Sequence, residues 1–133
     1  MINYIFLFCF ILCPFLVAGQ SSLADQHLIW HSNRSNELHS NVEVAATCRF
    51  ETHANNPIQL VYSSETFSFE IVSVEGTWNN INEDGFLTYV VNYQNHQGHI
   101  KFERINNVIA VVVDFTQAAA TAMHQRYIIS ETE

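Results

Sequence analysis

FLTYVVNYQNHQGHIKFERINNVIAVVVDF, residues 86–115, is the stretch whose reading decides the fold. It divides into three strands joined by two short turns. Positions 108–113 are apolar without interruption, so neither face of that strand is wholly wet and it belongs in the middle of a sheet. Asn106-Asn107 suits a two-residue type I′ turn, because asparagine tolerates positive φ. Such a turn pairs Ile105 with Val108, Arg104 with Ile109, Phe102 with Val111 and Ile100 with Val113. For the preceding hairpin, a four-residue loop over 95–98 pairs Gln94 with His99, Tyr93 with Ile100, Val91 with Phe102 and Tyr89 with Arg104.

Both registers put Leu87, Tyr89, Val91, Tyr93, Ile100, Phe102, Ile109, Val111, Val113 and Phe115 on one face, whereas a five-residue loop would mix the faces. On the opposite face His99 falls beside Asp114, with Lys101 next to both. A neighbouring carboxylate favours the imidazolium, so this is the candidate polar pair. Val90, Ile105, Val108, Ala110 and Val112 share that face. An apolar set there is either partly covered or the candidate surface for a partner.

Working outward, period two recurs. Val42, Val44, Ala46, Cys48 and Phe50 alternate with Glu43, Ala45, Thr47, Arg49 and Glu51, as in a half-buried strand. Asn55-Asn56-Pro57 marks a turn, and residues 58–62 make a short strand. Residues 66–75 alternate with a slip, Phe67, Phe69 and Ile71 against Val72 and Val74. A bulge near Ile71–Val72 would turn both sets inward. A polar loop runs to Gly85. After Phe115 comes an Ala-rich connector, long enough for one or two helical turns at most, then a last strand over 126–130. Some seven short strands with frequent turns predict an all-β fold, a small antiparallel sandwich or barrel.

At the other end, residues 1–19 are apolar and almost uncharged, with Pro14 and small residues following. That is the shape of a secretory signal peptide cut before Gln20, with a second acceptable cut after Ala24, before Asp25; the alternative is a retained anchor. The expected layout is therefore a signal peptide over 1–19, a polar N-terminal segment over 20–41, with room for one helical turn or a short first strand around His27–His31, and one antiparallel β domain over 42–133. The domain is expected outside the cytoplasm, secreted or periplasmic. Thirteen acidic residues face one Lys and four Arg, for a net charge of −8. That field repels phosphate backbones and anionic membranes, and it favours a basic protein partner or a cation.

Residues with chemistry are few. His27 and His31 would share a helical face, and His96 and His99 flank a turn, but neither pair has the further ligands zinc needs. Cys48 is the only cysteine beyond the leader, so no disulfide closes within the mature domain. Its alternation places it inward as a small hydrophobe, and His53, five residues on, is the sole nearby base. Glu43, Glu51, Glu65, Glu83 and Asp84 fall at outward or loop positions, where they make no acid–base pair. No nucleophile elbow, phosphate loop or metal motif is present. No catalytic, cofactor-binding or metal residue is therefore assigned. The reading is an exported β-protein that binds a protein partner without turning it over, in the manner of an inhibitor. A small hydrolase, a metal-dependent enzyme, or a barrel enclosing an apolar ligand against Phe67, Phe69, Tyr89, Tyr93 and Phe102 are the alternatives.

Overall fold

The computed structural model describes residues 21–116 and 120–133. The expected signal peptide over 1–19 lies outside these residues, as does part of the Ala-rich connector. Nine strands follow in order: β1 (His27–Glu37), β2 (Glu43–Val44), β3 (Cys48–His53), β4 (Ile58–Tyr62), β5 (Thr66–Glu75), β6 (Gly85–Tyr93), β7 (His96–Ile105), β8 (Val108–Asp114) and β9 (His124–Thr132). Every pairing is antiparallel, β3 to β9 meander in chain order, and β1 pairs with both β3 and β9. The sheet thus closes on itself as a barrel of eight strands, with β2 added outside on β1. Among the described residues, closure leaves only the two-residue β2 as a free edge, so little template remains for edge-to-edge association.

The anticipated inward face is the barrel interior. Leu87, Tyr89, Val91, Ile100, Phe102, Val111, Val113 and Phe115 are all buried, and Tyr93 and Ile109 pack against them. Opposite them sit Trp30, Phe50, Leu60, Phe69 and Tyr127, each at most 1% exposed. An eight-stranded barrel is just wide enough to be filled by its own side chains, and aromatic rings fill this one. Phe102 meets Trp30, Tyr89 and Phe50 with ring centres at 4.9, 5.6 and 5.9 Å, and Phe69 meets Phe115 at 5.7 Å. One side chain is missing by design of the packing: a Cβ at Gly98 would run into the Phe115 ring.

One end of the barrel is plugged. The 3-10 turn Leu23–Asp25 and the loop carrying Trp78 lie across it, joined where the Leu23 amide donates to the Trp78 carbonyl at 2.8 Å. The Trp78 indole N–H donates to the carbonyls of Asn80 and Glu83, each at 2.9 Å, so its loop is wound around its own ring. The opposite end carries the β4–β5 and β6–β7 turns and a second 3-10 turn, Thr121–Met123. The anticipated helical connector is this single turn, as far as residues 116 and 120–123 describe it.

The β7–β8 hairpin has the predicted register, including His99 opposite Asp114 and Ile105 opposite Val108. The β6–β7 hairpin does not. Tyr93 pairs with His96, Val91 with Gly98, Tyr89 with Ile100 and Leu87 with Phe102. The loop is two residues, Gln94 and Asn95, both at positive φ (47° and 64°), rather than four. The slip is by four positions, an even number, so it moves pairs without exchanging faces. A type I′ turn matches the strand twist better than a longer loop, and the tight packing of Phe115 over Gly98 goes with that register.

Three further expectations are revised. The segment 20–41, placed outside the β domain, supplies β1, the closing strand. Its alternation is hidden because Ser32 and Ser35 point inward alongside Trp30 and because register shifts against β9 interrupt it. The strand read over 42–50 is two strands, since Ala45–Thr47 leave β2 and turn into β3. The bulge near Ile71 is present, as a register shift between Ile71 and Ser73. Yet Val72 and Val74 stay outside, at 53% and 46% exposure, because the interior at that end is already occupied by Trp78 and Leu23.

Candidate functional site

The face singled out by the sequence is the outer wall of β6 to β8, and the structure splits it into two parts. Toward the plugged end, Ile105 pairs with Val108 and both are exposed. Phe86, opposite Glu103 on β6, sits diagonally from Ile105 on the same face, 46% exposed. It belongs with the set but was not legible as such, because the four-residue loop places Phe86 opposite Asn107, four positions away from Glu103. Phe86 rests on Gly76, where a Cβ would fall 2.8 Å from the ring, and Lys101 Nζ lies 5.2 Å from the ring centre. Val90 and Val112 are half-buried. Ala110 is fully buried and offers no surface: it lies between Glu103 and Ile128 in register, under longer neighbours.

Glu103 organises the middle of this wall. Its carboxylate takes Lys101 Nζ at 3.1 Å and Arg126 Nη2 at 3.8 Å, and only 12% of its side chain is exposed. Both cations are more than a third exposed, so the bridges contribute at most about 1 kcal/mol each. Their effect is to hold the Lys101 stem against Phe86.

Toward the other end, His99, Asp114 and His124 occupy one cross-strand row, Asp114 pairing with His99 on β7 and His124 on β9. His124 is the member that sequence reading missed, since β9 was begun two residues too late. His99 and Asp114 are both exposed, and their side chains form no hydrogen bond or ion pair with each other. The remaining imidazoles pair differently from expectation. His27 and His31 are on a strand, not a helix, and His27 stacks on His53 at 5.1 Å. His96 and His99 point to opposite faces of β7. His39 and His124 lie 5.7 Å apart. Among the described residues, no three His, Cys, Asp or Glu side chains are grouped so as to hold a metal ion.

Cys48 is buried and unbridged. Burial pushes its thiol up from 9.0 to about 11, against hydrogen bonds to Tyr62 and Ser32 that act the other way. The thiol is therefore held in its unreactive form at neutral pH. His53, the one base near it in sequence, stands at the far end of β3, engaged with His27 and within 3.5 Å of the Asn56 amide. The carboxylates are spread around the outside: Glu51 takes Arg49 at 2.9 Å, and Asp84 accepts from the Asn106 amide at 3.4 Å.

Inside the unplugged end lies a short polar chain. Tyr127 donates to the Ala122 carbonyl at 3.1 Å and meets the Tyr62 hydroxyl at 2.7 Å. Since the Tyr127 proton is committed to Ala122, Tyr62 is the donor to Tyr127. Burial raises the Tyr62 hydroxyl to about 12 and lifts Tyr127 well above the ordinary tyrosine range. Both remain neutral over the whole physiological range. The five aromatic side chains considered as walls for an apolar ligand pack against one another, and Phe67 also borders a recess at this end. Phe67 and Phe69 meet Tyr93 at 5.8 and 5.4 Å, and Tyr89 meets Phe102.

Comparison of the chain with protein-family models, with curated proteins and with solved structures finds no match in any of the three.

Proposed function

We propose that this chain is an exported, non-catalytic binding module that recognises a protein partner, and that the outer wall at Phe86, Ile105 and Val108 is where it does so. The observation that carries the reading is the meeting of these three side chains. They are 46%, 52% and 43% exposed and stand in adjacent register positions on a barrel whose interior is already filled. Exposed large apolar side chains gathered in one place cost solubility unless something covers them. Asp84 and Glu83 stand at the adjoining end of the wall, and the chain as a whole carries −8. The partner would therefore present an apolar or aromatic knob flanked by Lys or Arg, steered by charge and held by the apolar contact. The same charge disfavours nucleic acid and anionic membrane.

Catalysis has less to stand on: the thiol is buried with its pKa raised, and the acids are dispersed. The partner reading is tested by using the chain from Ser21 onward as bait in extracts of the source cells, beside F86S/I105S. One protein retained by the parent chain, lost with the double variant and weakened by salt, is the expected result. Equal retention by both baits would overturn the assignment of this wall. Export is tested separately, by N-terminal sequencing of native material: a start at Gln20 or Asp25 is expected, and an intact Met1 on cytoplasmic protein would refute it.

A further inference from the structure

The unplugged end of the barrel holds a recess of about 360 Å³ between the β4–β5 turn, β2 and the 3-10 turn at Thr121–Met123. Val44, Phe67 and Ala122 give it apolar walls, Ser35 and Tyr62 line it, and Gln125 forms part of its inner surface. Gln125 is an inward residue of β9, 2% exposed, and neither its Oε1 nor its Nε2 has a hydrogen-bond partner. A primary amide desolvated on both sides is the most costly polar arrangement in this barrel, roughly 1–3 kcal/mol for each unpaired group. Elsewhere the Trp30 indole donates to Thr52 Oγ1 at 3.0 Å, and His31 Nε2, also buried without a hydrogen bond, has Glu133 Oε2 at 3.4 Å. Gln125 lies where the barrel is open to a ligand-sized space, near the lower end of the ~300–1,000 Å³ range of small-molecule sites.

We infer that this recess is a binding site for a small neutral molecule with a hydrogen-bond donor and acceptor side by side, as on a lactam or cyclic imide. Gln125 carries an acceptor and a donor in one plane, the complement of such an edge. Both polar atoms of the amide are covered in the structure and no bond holds them, so Gln125 meets the edge by turning toward the recess, with either flip. A carboxylate would fit poorly: it has no donor for Oε1, and Glu65 stands at the rim. Tyr62, whose proton goes to Tyr127, keeps lone pairs to accept a second donor from the ligand. The apolar walls select a compact hydrocarbon body. This site is on the inner surface of one end, separate from the outer wall assigned to a protein partner, so either can fail without the other.

The probe is ε-caprolactam, followed in the ¹⁵N-labelled chain by the side-chain amide resonances of Gln125. Saturable shifts confined to those resonances and to the amides around Tyr62, Phe67 and Ala122 are expected. N-methylcaprolactam, which keeps the shape and loses the donor, should bind at least about tenfold more weakly, the weight of one hydrogen bond inside a protein. Q125L should lose lactam binding while folding at least as stably, since it removes the unpaired amide. Equal binding of lactam and N-methyl lactam, or full binding by Q125L, would reduce the recess to an apolar dent and overturn the proposal. So would the absence of any saturable shift in the parent chain, with long-lived water signals at the Gln125 amide showing that solvent alone fills the place.

Discussion

Tyr62 and Tyr127 meet hydroxyl to hydroxyl at 2.7 Å although 65 residues separate them and their strands, β4 and β9, are not neighbours in the barrel. The contact runs across the lumen, and through the Ala122 carbonyl it ties the end of β4 to the last connection. It does for the unplugged end what Trp78 does for the other, holding opposite walls together where backbone pairing gives out.

Replacing Tyr127 by Phe keeps the ring against Phe50, 5.0 Å away, and removes only the oxygen. Tyr62 then lacks an acceptor and Ala122 a donor. The loss is expected at about 1–2 kcal/mol, or roughly 4–8 °C in Tm for a domain near this size. An unchanged Tm in Y127F would mean the hydroxyl pair contributes nothing.

Alkaline pH should unfold the barrel well before its backbone chemistry requires it. Cys48 is raised from 9.0 to about 11, and Tyr62 and Tyr89 from 10.0 to about 12, each chiefly by burial. The unfolded chain therefore loses these protons first, at pH 9–10, while the folded chain keeps them. Fewer protons on the unfolded state make stability fall as pH rises through this window up to the folded values. Urea midpoints measured from pH 8 to 11 should decline steadily; a flat profile would contradict the buried, neutral state of these groups. In the same samples a polar disulfide reagent at pH 8 should label Cys48 only after denaturation, and prompt native labelling would revive a reactive thiol.

Gly98→Ala puts a methyl group into the Phe115 ring. Overpacking of this kind costs about 1–3 kcal/mol. The penalty should shrink when Phe115 is trimmed to Leu, so G98A in the F115L background is expected to lose less than in the parent chain. Additive losses, read by chemical denaturation, would show that the two residues do not compete for one space.

Gln94 holds φ 47° as the first residue of a two-residue turn. Glutamine gains nothing in the left-handed region, whereas asparagine is tolerated there. Q94N should therefore raise stability by about 0.5–1 kcal/mol. No gain, together with amide exchange matching a longer loop, would restore the four-residue alternative and its register.

Much of the barrel is legible in local pattern. Alternation along 86–115 determines the inward set regardless of which of the two hairpin registers is chosen, because a slip of four positions conserves parity. Asn106-Asn107 names its own turn, with φ of 51° and 66° as a type I′ turn requires. Cys48 is placed inward by its neighbours Phe50 and Ala46, and it is found buried. The missing catalytic motifs and the acidic charge are likewise properties of composition.

What tertiary structure alone decides is what depends on distant parts of the chain meeting. Residues 27–37 show in sequence no more than the option of a short strand around His27–His31, because two of their inward positions are serines and the alternation is broken by shifts; they become an eleven-residue strand by filling the gap between β3 and β9. Val72 and Val74 are apolar yet outside, since Trp78 and Leu23 arrive from elsewhere to occupy that end first. Phe86 joins Ile105 and Val108 only through a register that sequence leaves open by four residues. Gln125 reads as an ordinary polar residue among others, and nothing local distinguishes it. Its inward direction comes from the closure of β9 against β1, and its lack of partners from the space left between Tyr62, Phe67 and Ala122. Side-chain periodicity is written in nearest neighbours along the chain, whereas the filling of a closed barrel is a property of all eight walls at once.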